Sequence, residues 1–371
     1  MTKYIVRRAI GLLPLLLGII LLSFTLMKLA PGGPQAQFQG NKKISQEQID
    51  TWLKRWCLSR ETTPVTIVKE FGGWFGILNC NRDSFPDAFF SDQGGLNFLP
   101  TVLGGGTNGI VHGDLGYSVS SGRTVTELIA ERIPATLILT ITALILWVGI
   151  AVLIGVYAAV HRYSLFDQGM TFLSYVFYSL PVFWFALILI FVFAVTLRWF
   201  PSGGIVTPRA FAPFNSPQFW AQFGANPLNV IGNVAWHLVL PVITLVGISI
   251  AGDSRFVRAS MLESLSQDYV RTAKAKGLSS RTVIMKHAFR NALLPVVTNI
   301  ALELPFLFSG AIVTETLFTW PGMGRLFIES INDSDYFVLM GLLIVTSVLV
   351  LFANLLADVI YAVVDPRIRY D

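Results

Sequence analysis

Residues 9–30 form an apolar run of the length a bilayer span requires, about 20 residues, and comparable runs recur at 134–157, 169–197, about 237–256, 291–314 and 337–364. In hydrocarbon a segment must satisfy its own backbone N–H and C=O groups, so such runs fold as helices. The expected fold class is all-α integral membrane with six transmembrane helices. Composition agrees. Only 13% of the 371 residues are charged, about half the usual fraction of a soluble domain, and mean hydropathy is +0.62. No A-x-A-like cleavage site follows residue 30, so this run reads as a retained first helix.

Charge sets the orientation. Lys3, Arg7 and Arg8 precede the first run, and basic residues stay on the cytoplasmic side. Across 255–290 stand Arg255, Arg258, Arg271, Lys274, Lys276, Arg281, Lys286 and Arg290, opposed only by Glu263 and Asp268. Asp365-Pro-Arg-Ile-Arg369 follows the last run. Six spans with both termini cytoplasmic place all three clusters inside. The net charge of +5 is then accounted for by topology, with no need for a nucleic-acid partner.

Three parts follow: residues 1–34, the N-terminus and first helix; 35–133, an extracytoplasmic segment; and 134–371, the helical core with a cytoplasmic loop at 255–290. In the segment, Ser45-Gln-Glu-Gln48 has capping-box spacing, and Pro64 suits the first position of a helix reaching Phe71. Gly104-Gly-Gly106-Thr-Asn-Gly109 fits a dinucleotide fingerprint only formally, lacking a preceding strand and a following helix. Cys57 and Cys80 fall in this segment, where a disulfide is one reading and two free thiols the other. Thr124-Val-Thr-Glu127 predicts a capped short helix ending near Arg132, ahead of the span from Pro134. Pro181 predicts a kink in the third span. Pro201, Pro208, Pro213, Pro217 and Pro227 argue against long helices in 198–236.

The stretch Tyr269-Val-Arg-Thr-Ala-Lys-Ala-Lys-Gly277-Leu-Ser-Ser-Arg-Thr-Val-Ile-Met-Lys-His-Ala288 reads as helix, stop, helix. Leu262, Leu265, Tyr269 and Ala273 recur at helical spacing, so one helix face is apolar, and the stretch reads as a compact two-helix knob ready to fit a partner's groove. Lys274 and Lys276 complement a helix C-terminus. Gly277 suits a left-handed cap, and Ser279 or Ser280 suits the next N-cap. The alternatives are an ordinary charged loop or a DNA-reading helix-turn-helix; the flanking spans leave too little chain for the latter.

Single residues stand out too. Glu303 falls mid-bilayer, where a charge costs about 2.5–3.5 kcal/mol; it faces either the translocation pathway or a packed helix contact. Asp358 forms a polar stripe with Asn354 and Tyr361, either packed between helices or lining the translocation pathway. Glu315 and Trp320 lie in an external turn, as an outer gate or as turn-stabilising groups. His112, His161, His237 and His287 lack paired ligand spacing, so no metal site is expected. No nucleophile has a positioned base, and no enzymatic activity is expected. There is no Walker A sequence.

The stretch 269–295 resembles the EAA coupling signature of bacterial ABC-importer permeases, through Arg271-Thr-Ala273, Gly277 and Leu294-Pro295. The first two letters of the signature triplet are replaced. Ala30-Pro-Gly-Gly33, Gly113-Asp-Leu-Gly116, Glu131-Arg-Ile-Pro-Ala-Thr136, Arg290-Asn-Ala292, Glu315-Thr-Leu-Phe-Thr-Trp-Pro-Gly322 and Asp365-Pro-Arg367 are similar to the dipeptide/oligopeptide (DppB/OppB-type) family. Residues 35–112 and 207–233 look like insertions against that pattern. The resemblance implies a type I ABC-importer permease in the bacterial inner membrane, paired with a second homologous permease. It also implies two cytoplasmic ATPase subunits that carry the ATP and Mg²⁺, an external substrate-binding protein, and no cofactor on this chain. Leu265, Tyr269, Arg271, Thr272, Ala273, Lys274 and Gly277 become candidates for ATPase coupling. Peptides are the implied cargo. Nickel chelates, glutathione or short glycosides on the same machinery remain open, as does a secondary transporter or channel.

Overall fold

The computed structural model describes residues 2–30, 33, 53, 58–75, 110, 113–118 and 120–364, with side chains left aside at 2–6, 9, 301–310 and 360–364. The candidate disulfide of Cys57 and Cys80, the capping box at 45–48, the glycine run at 104–109 and the tail from Asp365 lie outside the described residues. The chain divides into two compact units.

The first unit comprises Met1–Ala9, Ile133–Arg325 and Leu349–Asp371. Helix α1 (Thr2–Leu29) contributes its start, and α2 (Pro64–Phe75) belongs to the second unit. Helix α3 (Val125–Val160) is followed by α4 (Leu165–Ser179) and α5 (Val182–Leu189), which runs on as a π-helical turn over Ile190–Thr196. Next come α6 (Pro217–Ala225) and the 40-residue α7 (Pro227–Ser266). Helix α7 packs against α4, α5, α6, α8 (Asp268–Ala275) and α9 (Phe289–Leu317), which makes it the organising element of this unit.

The core follows from a stripe on α3. Ala135, Leu139, Ala143, Trp147 and Ala151 recur every fourth residue, and all are buried. They pack with Leu238, Val242, Leu245 and Val246 of α7 and with Trp320. Small residues alternating with large ones let two helices approach closely, which drives helix association where lipid offers no hydrophobic gain.

The second unit comprises Ile10–Arg132 and Leu326–Val348. Pro64 opens α2 as expected, and Thr63 Oγ1 accepts the Thr66 N–H at 3.3 Å. Lys28 Nζ lies 2.7 Å from Glu70 Oε2, both buried. Ser59 completes the group by donating its N–H to Glu70 Oε1 at 2.8 Å and accepting from Lys28 Nζ at 2.6 Å. Helix α10 (Met323–Asn332) leads to α11 (Tyr336–Val364). Asp335 Oδ2 accepts from Ser118 Oγ at 2.6 Å, tying the turn after Gly116 to the start of α11.

Four helical stretches among the described residues are long and apolar enough to cross a membrane: Ile10–Leu29, Val125–Val160, Pro227–Ser266 and Tyr336–Val359. The pair Leu165–Ser179 and Val182–Thr196 is a fifth if taken as one span. Helix α9, 29 residues long, occupies the place of the remaining expected span.

Local expectations needed correction at four points. The kink at Pro181 is a break, with the two halves bent by 104°. Leu180 is extended (φ −85°, ψ 129°), the conformation a following proline ring favours by disfavouring the helical region. The short helix expected to end near Arg132 instead runs on without interruption through Pro134 as α3. Thr124 does cap it, accepting the Glu127 N–H at 3.3 Å. The fourth span starts at Pro227, not near His237, and reaches Ser266, not Phe256. Within 198–236 the helix at Pro217 is short, nine residues, but the 40-residue α7 begins there at Pro227, so the prolines do not exclude a long helix. Each of the two sits in the first turn of its helix, where a missing N–H costs nothing.

Candidate functional site

Helix α7 stops at Ser266 and α8 starts at Asp268, with Gln267 between them in an extended conformation (φ −73°, ψ 152°). Ser266 Oγ donates to Glu263 O at 2.7 Å, one of the local side-chain bonds that compete with helix continuation. Asp268 falls in the first turn of α8 and Lys274 in its last, both favourable to the helix dipole. The stripe Leu262–Leu265–Tyr269–Ala273 is thus carried by two helices, not one.

Helix α8 turns Val270 and Ala273 inward. They join Val257, Met261, Val283, Ala288, Ala292 and Val296 in one buried cluster, with Leu262 and Leu265 packed at its edge. Ser264 Oγ donates to Ala288 O at 2.7 Å. Its only hydrogen is then spent, so the 2.6 Å contact with Tyr269 Oη is a bond donated by the tyrosine. These contacts fix α8 to both α7 and the segment leading into α9. Arg271, Thr272, Lys274, Lys276, Gly277 and Leu278 are left facing outward. Ala273, expected on the docking stripe, is part of the mounting. Tyr269 is 38% exposed and serves both faces. Arg271 lies 3.6 Å from Asp268 with both side chains in solvent, a pairing worth little by itself.

The stop at Gly277 has the expected geometry. Lys276 is the C-cap. Gly277 has φ +74°, donates its N–H to Lys274 O at 2.9 Å, and is followed by Leu278 N–H to Ala273 O at 3.4 Å. This pair of bonds is the Schellman arrangement. A Cβ at position 277 would meet nothing within 4 Å, so the demand for glycine is one of backbone conformation alone. Ser279 caps the next turn, accepting the Thr282 N–H at 3.4 Å. Ser280–Thr282 is helical, and Val283–Ala288 forms a π-helical stretch that feeds α9.

Glu315 and Trp320 are fully buried. Glu315 Oε1 accepts from Thr136 Oγ1 at 2.7 Å. Its Oε2 accepts the Gly324 N–H at 2.7 Å and the Arg325 N–H at 3.2 Å, at the N-terminus of α10. Trp320 Nε1 donates to Ala135 O at 2.8 Å, and Met323 N–H to Thr136 Oγ1 at 2.8 Å. A Cβ on Gly322 would lie 2.3 Å from the Glu315 carboxylate, so the loop can wrap the acid only without a side chain there. These contacts tie the end of α9 and the loop after it to α3 and to the start of α10.

Asp358 pairs with Arg8, whose Nε lies 2.6 Å from Oδ2, joining the two ends of the chain within the first unit. The side chain of Glu303 is outside the described residues; its backbone lies within α9. Sequence reading counted Arg258 only among the basic residues of 255–290 and passed over Asp167. Arg258 donates from Nε and from Nη2 (2.7 Å) to the two carboxylate oxygens of Asp167. The spacing Ser164-Leu-Phe-Asp167 carried a signal for half of this, since Ser164 caps α4 by accepting the Asp167 N–H. The distant partner left no such mark.

Residues 151–370 match the family described as binding-protein-dependent transport system inner membrane component. Over its whole length the chain is 38% identical to the oligopeptide transport system permease protein AppB of Bacillus subtilis, all of whose length is covered. It is 35% identical to the dipeptide transport system permease protein DppB of Escherichia coli and 33% identical to the di/tripeptide permease protein DppB of Pseudomonas aeruginosa, in each case over 100% of this chain and 99% of the relative. These alignments run through 35–112 and 207–233 as well. With a mounted, Gly-capped knob in the loop where the signature predicts one, the chain belongs to the family of inner-membrane permeases of binding-protein-dependent ABC importers.

Proposed function

We propose that this chain is one permease subunit of an ATP-driven importer of di- or oligopeptides. The observation that carries the reading is similarity along the entire chain to peptide-transport permeases. Six spans place both termini and the knob in the cytoplasm, in accord with the basic residues of 255–290 and the N-terminus. A second permease completes the pathway, two ATPase subunits hold the nucleotide and Mg²⁺, and an external binding protein delivers the cargo.

The knob supplies the mechanism. Its outward residues, Tyr269, Arg271, Thr272, Lys274 and Leu278, meet the ATPase. Its inward residues, Val270 and Ala273, lock it to α7 and α9. Closure of the ATPase pair moves a rigid body, and the helices on either side of the knob move with it. Glu315 and Trp320 keep the α3–α10 corner fixed during this motion. Purification of the assembled complex tests the reading. ATPase chains should co-purify, and vesicles containing the complex should accumulate peptide only with ATP and the peptide-loaded binding protein. Accumulation without ATP contradicts the reading, and a binding protein selective for a metal chelate or a glycoside contradicts the cargo.

A further inference from the structure

Helix α4 has no covalent link to the knob, unlike α7 and α9, yet two polar contacts hold it to the part of α7 nearest the knob. The first is the bidentate pair of Arg258 and Asp167, in which Asp167 is buried. The Tyr163 N–H donates to Asp167 Oδ2 at 2.9 Å, and Ser164 Oγ accepts the Asp167 N–H at 3.2 Å. The carboxylate is therefore bound into the turn that precedes α4. The second contact is Arg255, whose guanidinium carbon lies 4.3 Å from the ring centre of Tyr175, two turns further along α4. On α7, one turn separates Arg255 from Arg258, and Ser264, which anchors the knob, follows six residues later.

We infer that Arg258 and Asp167 are positioning residues that pass displacement of the knob from α7 to α4, and through it to the broken span. The inference rests on the importer reading above. A planar guanidinium bound at both nitrogens resists sliding and rotation in a way a single contact or an apolar surface does not. Apolar packing alone would let α7 slip past α4. The pair makes the two helices move as one at that level, while the break at Leu180–Pro181 lets α5 change its angle.

The test uses the assembled complex in vesicles, with peptide uptake and ATP hydrolysis measured on the same preparation. For Asp167→Asn, assembly and basal ATP hydrolysis should persist, while peptide imported per ATP falls roughly fivefold or more. Arg258→Lys keeps the charge but loses the fork, and should fall part of the way. The exchange Asp167→Arg with Arg258→Asp should recover import per ATP above Asp167→Arg or Arg258→Asp made alone. If Asp167→Asn does not assemble, Arg258→Lys and the exchange carry the same comparison. Wild-type import per ATP in both single variants overturns this inference alone, as does an equal loss in the exchanged pair. A wild-type complex that moves no peptide on ATP overturns the importer reading and this inference with it.

Discussion

Gly277 and Glu315 show what a single residue does and does not announce. Gly277 was legible because its requirement is local: a helix ending in lysines, a glycine and then serines leaves few conformations but the left-handed cap. Its φ of +74° in open space means that Gly277→Ala tests conformation alone. That change should cost about 1 kcal/mol at the cap. Glu315 was legible as an acid at an external turn, with gating and turn-stabilising roles both open, but not as the acceptor for Thr136, which lies 179 positions away. Replacing Glu315 with Gln leaves one acceptor for donors on both sides of the carboxylate. Such a mismatch costs about 1–3 kcal/mol, so thermal unfolding of the purified complex should shift downward while the preference among peptides stays as in wild type. An unshifted transition, or a changed peptide preference, would assign Glu315 to the pathway instead.

At the level of elements, hydropathy located the helices and proline position decided their edges. Pro181 broke its helix because Leu180 could become extended, whereas Pro217 and Pro227 opened theirs from the first turn. Pro134 did neither. Its helix is continuous, with Val125, Leu128 and Ile129 buried before it and Ala135 and Leu139 after it. One lost hydrogen bond is a modest cost beside that burial. Helical spacing alone could not reveal that the stripe from Leu262 to Ala273 changes helix at Gln267, since the interruption adds no glycine or proline. The inward and outward faces of α8 make separate predictions. Ala273→Leu inserts bulk into the buried cluster, at about 1–3 kcal/mol, and should reduce the ATPase chains recovered with the complex. Thr272→Ala removes an outward hydroxyl and should alter stability by no more than about 0.5 kcal/mol. Equal recovery of ATPase chains with Ala273→Leu and wild type would detach the mounting from the docking.

For the whole molecule, segregated charge carries the proposed topology, and similarity to known permeases carries the family; the ion pairs that lock elements together were written in neither. Cysteine labelling addresses the topology. In a background where Cys57 and Cys80 are replaced, a cysteine at Ser279 or Arg281 should resist a membrane-impermeant reagent applied to intact cells and react once the membrane is opened. Reaction in intact cells would place the knob outside and reverse the orientation. The central claim is that a rigid knob carries another chain's ATP hydrolysis into peptide movement. It is tested most directly by the ratio of peptide imported to ATP hydrolysed for Gly277→Val in vesicles holding the complete complex. A β-branched residue at φ +74° disrupts the cap while leaving the spans untouched. The account predicts an assembled complex that still hydrolyses ATP but imports far less peptide for each ATP consumed. A ratio equal to that of the wild type would contradict it.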